Sequence, residues 1–369
     1  MKDTVNIFWF RRDLRLDDNV GFYNALKSEH PVLPIFIFDE EILKKLPKDD
    51  ARITFIYETL QKMRTKLEDK NSSSIAMFHG EPKAIYKNLL EKYNIDTVFT
   101  NRDYEPYAKE RDDKIQQLLN DNTIKFKTFK DQVIFEQNEV TKKDGLPYVV
   151  YTPYMKVWKE QFKTHTLDFY YTSSFLKNLI QDKELPNLTL SDIGFTKSNQ
   201  KIKKHIVTPA LIQNYEDTRN FPAQDSTSKL GPHLRFGTVS IRKMIEKAIT
   251  EKNEIFWQEL IWREFFMQIL WHFPHTSKNS FKAKYDRIDW RNNEAEFLKW
   301  CNGQTGYPLV DAGMRQLNET GFMHNRIRML VGSFLCKHLL IDWRWGEAYF
   351  AEKLHDYEMA SNIGNWQWV

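Results

Sequence analysis

Val5-Asn-Ile-Phe-Trp-Phe10, Val32-Leu-Pro-Ile-Phe-Ile-Phe38, Ile75-Ala-Met-Phe78 and Thr97-Val-Phe-Thr100 are four short apolar runs, rich in β-branched and aromatic residues. Longer stretches of mixed polarity, Ile53–Leu67 and Pro82–Tyr93, lie between them. Short strands alternating with helical stretches predict a parallel sheet with helical crossovers. Such a sheet holds ligands at the carboxyl ends of its strands. No Gly-x-Gly-x-x-Gly follows the first run, so the region carries no dinucleotide fingerprint. The α/β, Rossmann-like domain is expected over residues 1–130.

Beyond it, residues 131–204 read as a connector, polar and turn-rich at 187–194 and 197–204. The run Lys201-Ile-Lys-Lys204 reads as a solvated face rather than a DNA contact. From residue 205 the period becomes helical. Ser240 is a candidate N-cap, and Ile241, Met244, Ile245, Ala248 and Ile249 follow it at i, i+3, i+4, i+7 and i+8. Glu254–Phe273 and Asn325–Ile341 are further helical stretches. The expected plan is an α/β domain, a connector, and an all-helical domain over 205–369.

Bulk properties bound the function. With 41% hydrophobic residues the chain can bury a core, and disorder is excluded. Its net charge of +4 gives no overall pull toward nucleic acid, so any such contact needs a local patch. The two cysteines, Cys301 and Cys336, exclude a disulfide framework and a four-thiolate metal site, and fit a reducing, cytoplasmic setting. No run of 18 apolar residues is present, so no membrane span is read. Nine of the 11 tryptophans lie after residue 250. They are either bulky helical core or a set for stacking and electron transfer.

Three segments could carry chemistry. In Trp257-Gln-Glu-Leu-Ile-Trp-Arg-Glu264, residues Glu259, Trp262 and Arg263 share one helical face. A carboxylate, an indole and a guanidinium there could grip a polar aromatic ligand, or form a surface ion pair beside a core tryptophan. In Gly321-Phe-Met-His-Asn-Arg-Ile-Arg-Met329, residues Asn325, Arg328 and Met329 share a face. A cation in that apolar helix needs a partner, and Asp356 is a candidate. Thr227-Ser-Lys-Leu-Gly231 offers hydroxyls and a turn, features that suit a phosphate and are also common in ordinary loops.

Taken together these segments resemble the photolyase/cryptochrome family, and more closely its microbial cyclobutane-dimer photolyases. The likeness spans the chain. Its motifs are Phe8-Trp-Phe-Arg-Arg-Asp-Leu-Arg-Leu-Asp-Asp-Asn19, Asn220-Phe-Pro-Ala with Thr227-Ser-Lys-Leu230, Glu259-Leu-Ile-Trp-Arg-Glu-Phe265, Gly306-Tyr-Pro-Leu-Val-Asp-Ala-Gly-Met-Arg315, His324-Asn-Arg-Ile-Arg328 and Asn365-Trp-Gln-Trp368. The resemblance implies FAD in the helical domain. Tyr215 and the run Thr227, Ser228, Lys229, Leu230, Gly231 would hold its phosphates. Phe256, Glu259 and Arg263 would line the cavity, with Tyr357 and Glu358 beside it. Arg328 and Asp356 would pair beside the flavin ring, and Asn362 would stand near its N5. Glu259, Asn325, Trp262, Met329 and Trp368 would meet a dimer flipped out of UV-damaged DNA, and Arg219 and Arg326 its phosphates. Trp366, Trp343 and Trp290 match the family's electron relay, while Trp300 and Trp271 read as core.

Within the family, Asn362 resembles repair enzymes, since plant cryptochromes carry Asp there and many animal ones Cys. Asn325 and Met329 stand where enzymes for the 6–4 photoproduct carry histidines. Trp368 stands where the single-strand-preferring members have Tyr. The implied activity is light-driven repair of cyclobutane pyrimidine dimers by a monomer that uses no metal. The alternatives are a photoreceptor without repair, or an inactive relic. Three departures stand out. Gly231 replaces a common Ser, so one hydroxyl contact is expected to be lost. Glu358 replaces Asp. Tyr104-Glu-Pro-Tyr-Ala-Lys-Glu-Arg111 lacks the Asn-Glu pair of folate-antenna members and looks more like those with a deazaflavin or no antenna. Relatives continue past the final Trp-Gln-Trp, so the helical domain is expected to be C-terminally truncated.

Overall fold

The computed structural model describes residues 4–368. They fall into two units. One takes the chain up to Ile134, together with Leu167–Asn199 and Phe236–Met244. The other takes Phe135–Thr166, Gln200–Arg235 and the chain from Ile245 onward. The stretch 131–204, expected as a connector, is therefore shared between the two.

The first unit is built on a parallel sheet of β1 (Thr4–Phe10), β2 (Val32–Asp39), β3 (Ala76–Gly80), β4 (Asn94–Asn101) and β5 (Lys125–Phe129), in the order β3-β2-β1-β4-β5. Its crossovers include α1 (Val20–Leu26), α2 (Ala51–Asn71), α3 (Pro82–Lys92) and α4 (Pro106–Asp121). Every residue of β2 and the run Val5–Phe10 of β1 are buried, which is why they read as unbroken apolar runs. Asp50 starts α2 by accepting the Arg52 amide at 2.7 Å, and α3 and α4 each open on a proline in the first turn, where its missing N–H costs nothing. The edge strand β5 escapes the sequence reading because Lys-Phe-Lys-Thr-Phe alternates charge with aromatic, a pattern that protects an edge from further pairing.

Strand order reverses between β1 and β4, so their carboxyl ends form the crevice that this architecture leaves for ligands. Side chains of the unit itself bridge it. Arg11 pairs with Asp112 at 2.5 Å, Arg12 with Asp103 at 3.0 Å, and the guanidiniums of Arg11 and Arg111 lie 5.0 and 4.8 Å from the Trp9 ring centroid. Behind them, Asp131 accepts from Arg15 at 2.7 Å and from Arg242 at 3.0 Å, while Arg242 also reaches Asp18. Asp18 and Asp131 are almost fully buried, so these cations are required partners.

The second unit is helical. Its main elements are α5 (Tyr151–Phe162), α6 (Glu254–His272), α7 (Pro308–Thr320), α8 (Asn325–Ser333), α9 (Trp343–Lys353) and α10 (Met359–Trp368). The helix expected over 325–341 is α-helical only to Ser333 and continues as a wider π turn through Phe334–His338. Trp300, Met314, Leu317, Val331, Leu335, Trp343, Phe350 and Trp366 form its core. Trp300 is fully buried and its indole donates to the Val331 carbonyl at 3.1 Å, in line with its reading as core. Gly346 lets α9 and α10 close up, since a Cβ there would run into the Trp366 ring.

Within this unit α5 is anchored by a buried carboxylate. Glu264 Oε1 on α6 accepts from the Trp158 indole at 2.5 Å, the Phe135 amide at 3.0 Å and the Tyr154 hydroxyl at 3.4 Å. All three donors come from the stretch that read as a connector. Their acceptor lies more than 100 residues away, which is why no local pattern announced them.

Candidate functional site

Two adjoining cavities open in the helical unit. The smaller, about 300 Å³, is bounded by the 227–232 loop, the 320–326 segment, Tyr215, Arg219, Glu259, Lys201 and Lys203. Six cations line it (Lys201, Lys203, Arg219, Lys229, Arg326 and Arg328) against the two carboxylates of Glu259 and Asp356. This excess of positive charge, with the hydroxyls of Thr227 and Ser228, suits an anionic ligand such as a phosphate. Lys201 and Lys203, read from sequence as a solvated face, are brought here because the Ile206 amide donates to the Ser228 carbonyl at 2.8 Å. His233 adds a second tie to this segment through the Lys203 carbonyl, at 3.0 Å.

The loop is tightly held. Lys229 has a left-handed backbone, φ +54, and its ammonium meets Thr227 Oγ1 at 2.9 Å and Asp225 at 2.7 Å, 4.1 Å from the Phe322 ring centroid. Opposite it, Arg219 pairs with Glu259 at 2.6 Å and lies over the Tyr215 ring. Burial, reinforced by the Glu259 charge, pushes the Tyr215 phenol up to about 12, so it stays a neutral donor at physiological pH.

The larger cavity, about 370 Å³, is lined by Met329, Lys337, Tyr357, Glu358, Ser361, Asn362, Asn365, Trp366 and Trp368, among others. Asn325, Arg328 and Asp356 line both cavities. The predicted Arg328–Asp356 pair is present, Nη2 to Oδ2 at 2.8 Å, where the two spaces meet. Met329 and Trp368 are about half exposed, at 49% and 44%, so the larger cavity keeps an aromatic and thioether edge open to solvent.

Of the residues expected from sequence, Tyr215, Arg219, Thr227–Gly231, Glu259, Asn325, Arg326, Arg328, Met329, Asp356, Tyr357, Glu358, Asn362, Trp366 and Trp368 line one cavity or the other. Four others stand back from the lining. Phe256 is buried edge-on beneath Tyr215, with centroids 5.1 Å apart. Arg263 supports Glu358 from behind, at 3.2 Å. The extra methylene of Glu358 lets its other oxygen accept from Ser361 at 3.1 Å. Trp290 and Trp343 pack in the core. Trp262 also lies outside both linings. It stacks flat on Tyr151 of α5, centroids 3.5 Å apart and planes 8° from parallel, and Phe266 lies between it and Trp368. The role of Tyr151 was not readable locally, because its partner is on α6. Glu347, which bonds Asn362, was also missed, since one acidic residue in an amphipathic helix reads as surface.

Residues 256–369 match the model of the FAD binding domain of DNA photolyase, and residues 6–170 match that of DNA photolyase. The deoxyribodipyrimidine photo-lyase of Agrobacterium fabrum is 36% identical, with all of this chain aligned to 80% of that protein. That of Synechococcus sp. is 34% identical over 98% of this chain and 80% of its own length. The chain belongs to the DNA photolyase family. Solved photolyases agree. A bacterial class III photolyase from Agrobacterium tumefaciens superposes with a TM-score of 0.85 at 31% identity, over the whole of this chain and 80% of that one. An archaeal photolyase from Sulfolobus tokodaii, crystallised with two FAD molecules, gives 0.81 at 34% identity, over 99% and 82%.

The residues present fit FAD, the group that the photolyase model names. Asp356 Oδ1 is buried with no hydrogen-bond partner, an acceptor that a ligand donor would complete. Gly231 leaves a hollow against Asp356 that a side chain would fill. A cationic chamber joined to an aromatic one matches a diphosphate joined to a ring system. Among the described residues no cluster of metal-binding side chains occurs, and no helix is long and apolar enough to cross a membrane.

Proposed function

We propose that this chain repairs cyclobutane pyrimidine dimers in DNA, driven by blue light and using FAD held in the helical unit. The observation that carries the reading is the pair of cavities sharing Arg328 and Asp356, one cationic and closed down by Lys229, the other edged by exposed Trp368 and Met329. FAD would supply light absorption and one-electron chemistry, the part that side chains cannot provide.

The chain's own residues have three tasks. Thr227, Ser228, Lys229 and Tyr215 hold the phosphate end. Arg328 is fixed by Asp356, which keeps its charge beside the ring without titrating. Trp368, Met329 and Asn325 receive the flipped dimer, and the exposed Arg326 meets backbone phosphate. A dimer is poorly stacked and poorly paired, so extruding it costs less than extruding an intact pair, and this gives selectivity. Trp262, held by Tyr151, acts as a rigid wall behind this edge rather than as a free stacking face. Trp366, Trp343 and Trp290 lead from the larger cavity through the core and serve as the relay that restores reduced flavin. A cytoplasmic monomer completes the proposal, and the two buried free thiols fit a reducing compartment.

The test is purification in the dark, followed by illumination with a thymine-dimer oligonucleotide under reducing conditions. Flavin absorbance with light-dependent loss of the dimer is expected. Flavin without repair would replace this reading with a photoreceptor.

A further inference from the structure

Asn362 lines the larger cavity with only 9% of its surface exposed, and its amide is held from behind. Nδ2 donates to the Glu347 carboxylate at 2.9 Å and to the Glu347 backbone carbonyl at 3.2 Å. A backbone carbonyl can only accept, so the end of the amide facing Glu347 has to be its NH2. The other end, Oδ1, is left to the cavity. The carboxylate is itself steadied by the Tyr357 hydroxyl, which donates to the same Oε1 at 3.3 Å. Burial pushes the Glu347 carboxyl up, while the bonds from Asn362 and Tyr357 pull it back. A proton on Glu347 would leave the backbone carbonyl in place, so the amide keeps the same end toward the helix in either state.

We propose that Glu347 is a positioning residue that sets the redox preference of the bound flavin, by fixing Asn362 so that it offers the ring an acceptor and no donor. The inference rests on the reading above, in which Asn362 stands beside ring nitrogen N5. Reduction adds two electrons and one proton to the ring, and the proton goes onto that nitrogen. The reduced ring then presents N–H, which Asn362 Oδ1 accepts. The oxidised ring presents a lone pair at the same atom, which Oδ1 repels. Fixing the amide therefore selects the form that can give an electron. An amide free to rotate would turn its NH2 to the oxidised ring and lose that selection.

The linkage is quantitative. A tenfold preference for the reduced over the oxidised form corresponds to about 30 mV in the midpoint potential of a two-electron couple. The test is a reductive titration of the FAD-loaded protein, with the affinity for oxidised FAD measured alongside. Glu347→Met keeps the bulk but removes the carboxylate acceptor. Its midpoint potential is expected to fall by up to about 30 mV, a tenfold loss of preference, with oxidised FAD bound as tightly or more tightly. Glu347→Gln retains an accepting oxygen and should stay near wild type. An unchanged potential in Glu347→Met, or an equal fall in Glu347→Gln, overturns the proposal. A purely structural role would weaken both redox forms alike and leave the potential unmoved. Asn362→Leu separates the two levels of the argument. If it shifts the potential while Glu347→Met does not, only the positioning role fails. If it binds FAD and does not shift the potential either, the placement of Asn362 at the ring fails as well. Should Glu347→Met not fold, Glu347→Ala removes the same acceptor and is judged by the same outcomes.

Discussion

Gly231→Ser is the substitution on which sequence and structure disagree. Many relatives carry Ser at this position, so sequence comparison alone predicts that restoring it adds a hydroxyl contact and tightens FAD binding. The geometry predicts the reverse. A Cβ at residue 231 would lie 2.6 Å from Asp356 Oδ2, 2.7 Å from its Cβ and 3.1 Å from its Cγ. The approach reaches the base of the Asp356 side chain, so rotating the carboxylate tip does not relieve it. Asp356 has to move as a whole, and with it goes the 2.8 Å bond to Arg328 that both cavities share. Overpacking of this kind costs about 1–3 kcal/mol, or about 5- to 150-fold in a binding constant if the ligand site absorbs the strain. The assay is titration of FAD-depleted protein with FAD, read by the quenching of flavin fluorescence, together with thermal unfolding of the apoprotein. Weaker FAD binding, with a small loss of apoprotein stability, is the expected result. FAD bound as tightly as by wild type, or more tightly, would show that Asp356 accommodates the side chain and that the Gly231 hollow has no bearing on the site.

Trp368→Ala should weaken binding to dimer-containing oligonucleotides by about 1–3 kcal/mol in a mobility-shift titration and leave flavin content unchanged; equal binding would remove Trp368 from the substrate edge. Trp290→Phe should slow photoreduction of the oxidised protein while sparing repair by protein reduced beforehand, and unaltered photoreduction would break the proposed relay. Asp131→Asn tests the buried cluster of the first unit. Burial would raise the Asp131 carboxyl, but Arg15 and Arg242 outweigh it and hold the group below its usual range. Its contribution is therefore present above about pH 4, the unfolded value, and is lost as pH falls through the lower folded value. Denaturant melts at pH 7 should show Asp131→Asn less stable by about 3–5 kcal/mol, with the gap to wild type narrowing at pH 3. A gap independent of pH would mean that the carboxylate charge is not what the cluster uses.

How much of this could be read from sequence depended on the distance over which each residue acts. β1, β2 and β4 were legible because strands buried on both faces have to be apolar throughout. The Arg328–Asp356 pair was legible because a guanidinium in an apolar helix calls for a carboxylate, and few were placed to answer. β5 was hidden by the lysines that protect its edge. The anchoring of α5 was hidden because Tyr154 and Trp158 look like ordinary surface-to-core aromatics until Glu264 is seen beside them. Lys201 and Lys203 were misjudged for a related reason. A basic run has no periodicity to say which way it faces, and the hydrogen bonds of Ile206 and His233, not its own sequence, bring it to the cavity. The flat stack of Tyr151 on Trp262 is legible only in three dimensions.

The way the chain is divided also bears on how it can be made. A ribosome delivers residues in order, and domains generally fold as units while they emerge. Here the first unit lacks Phe236–Met244 until nearly two-thirds of the protein has been synthesised. Until then Asp18 and Asp131 are without Arg242, so a nascent sheet holds two carboxylates that it cannot yet bury safely. Phe135–Thr166 waits in the same way for Glu264. The early chain is thus committed to a period with its strands formed and its charges unmatched, and this interval is where a chaperone would be most needed.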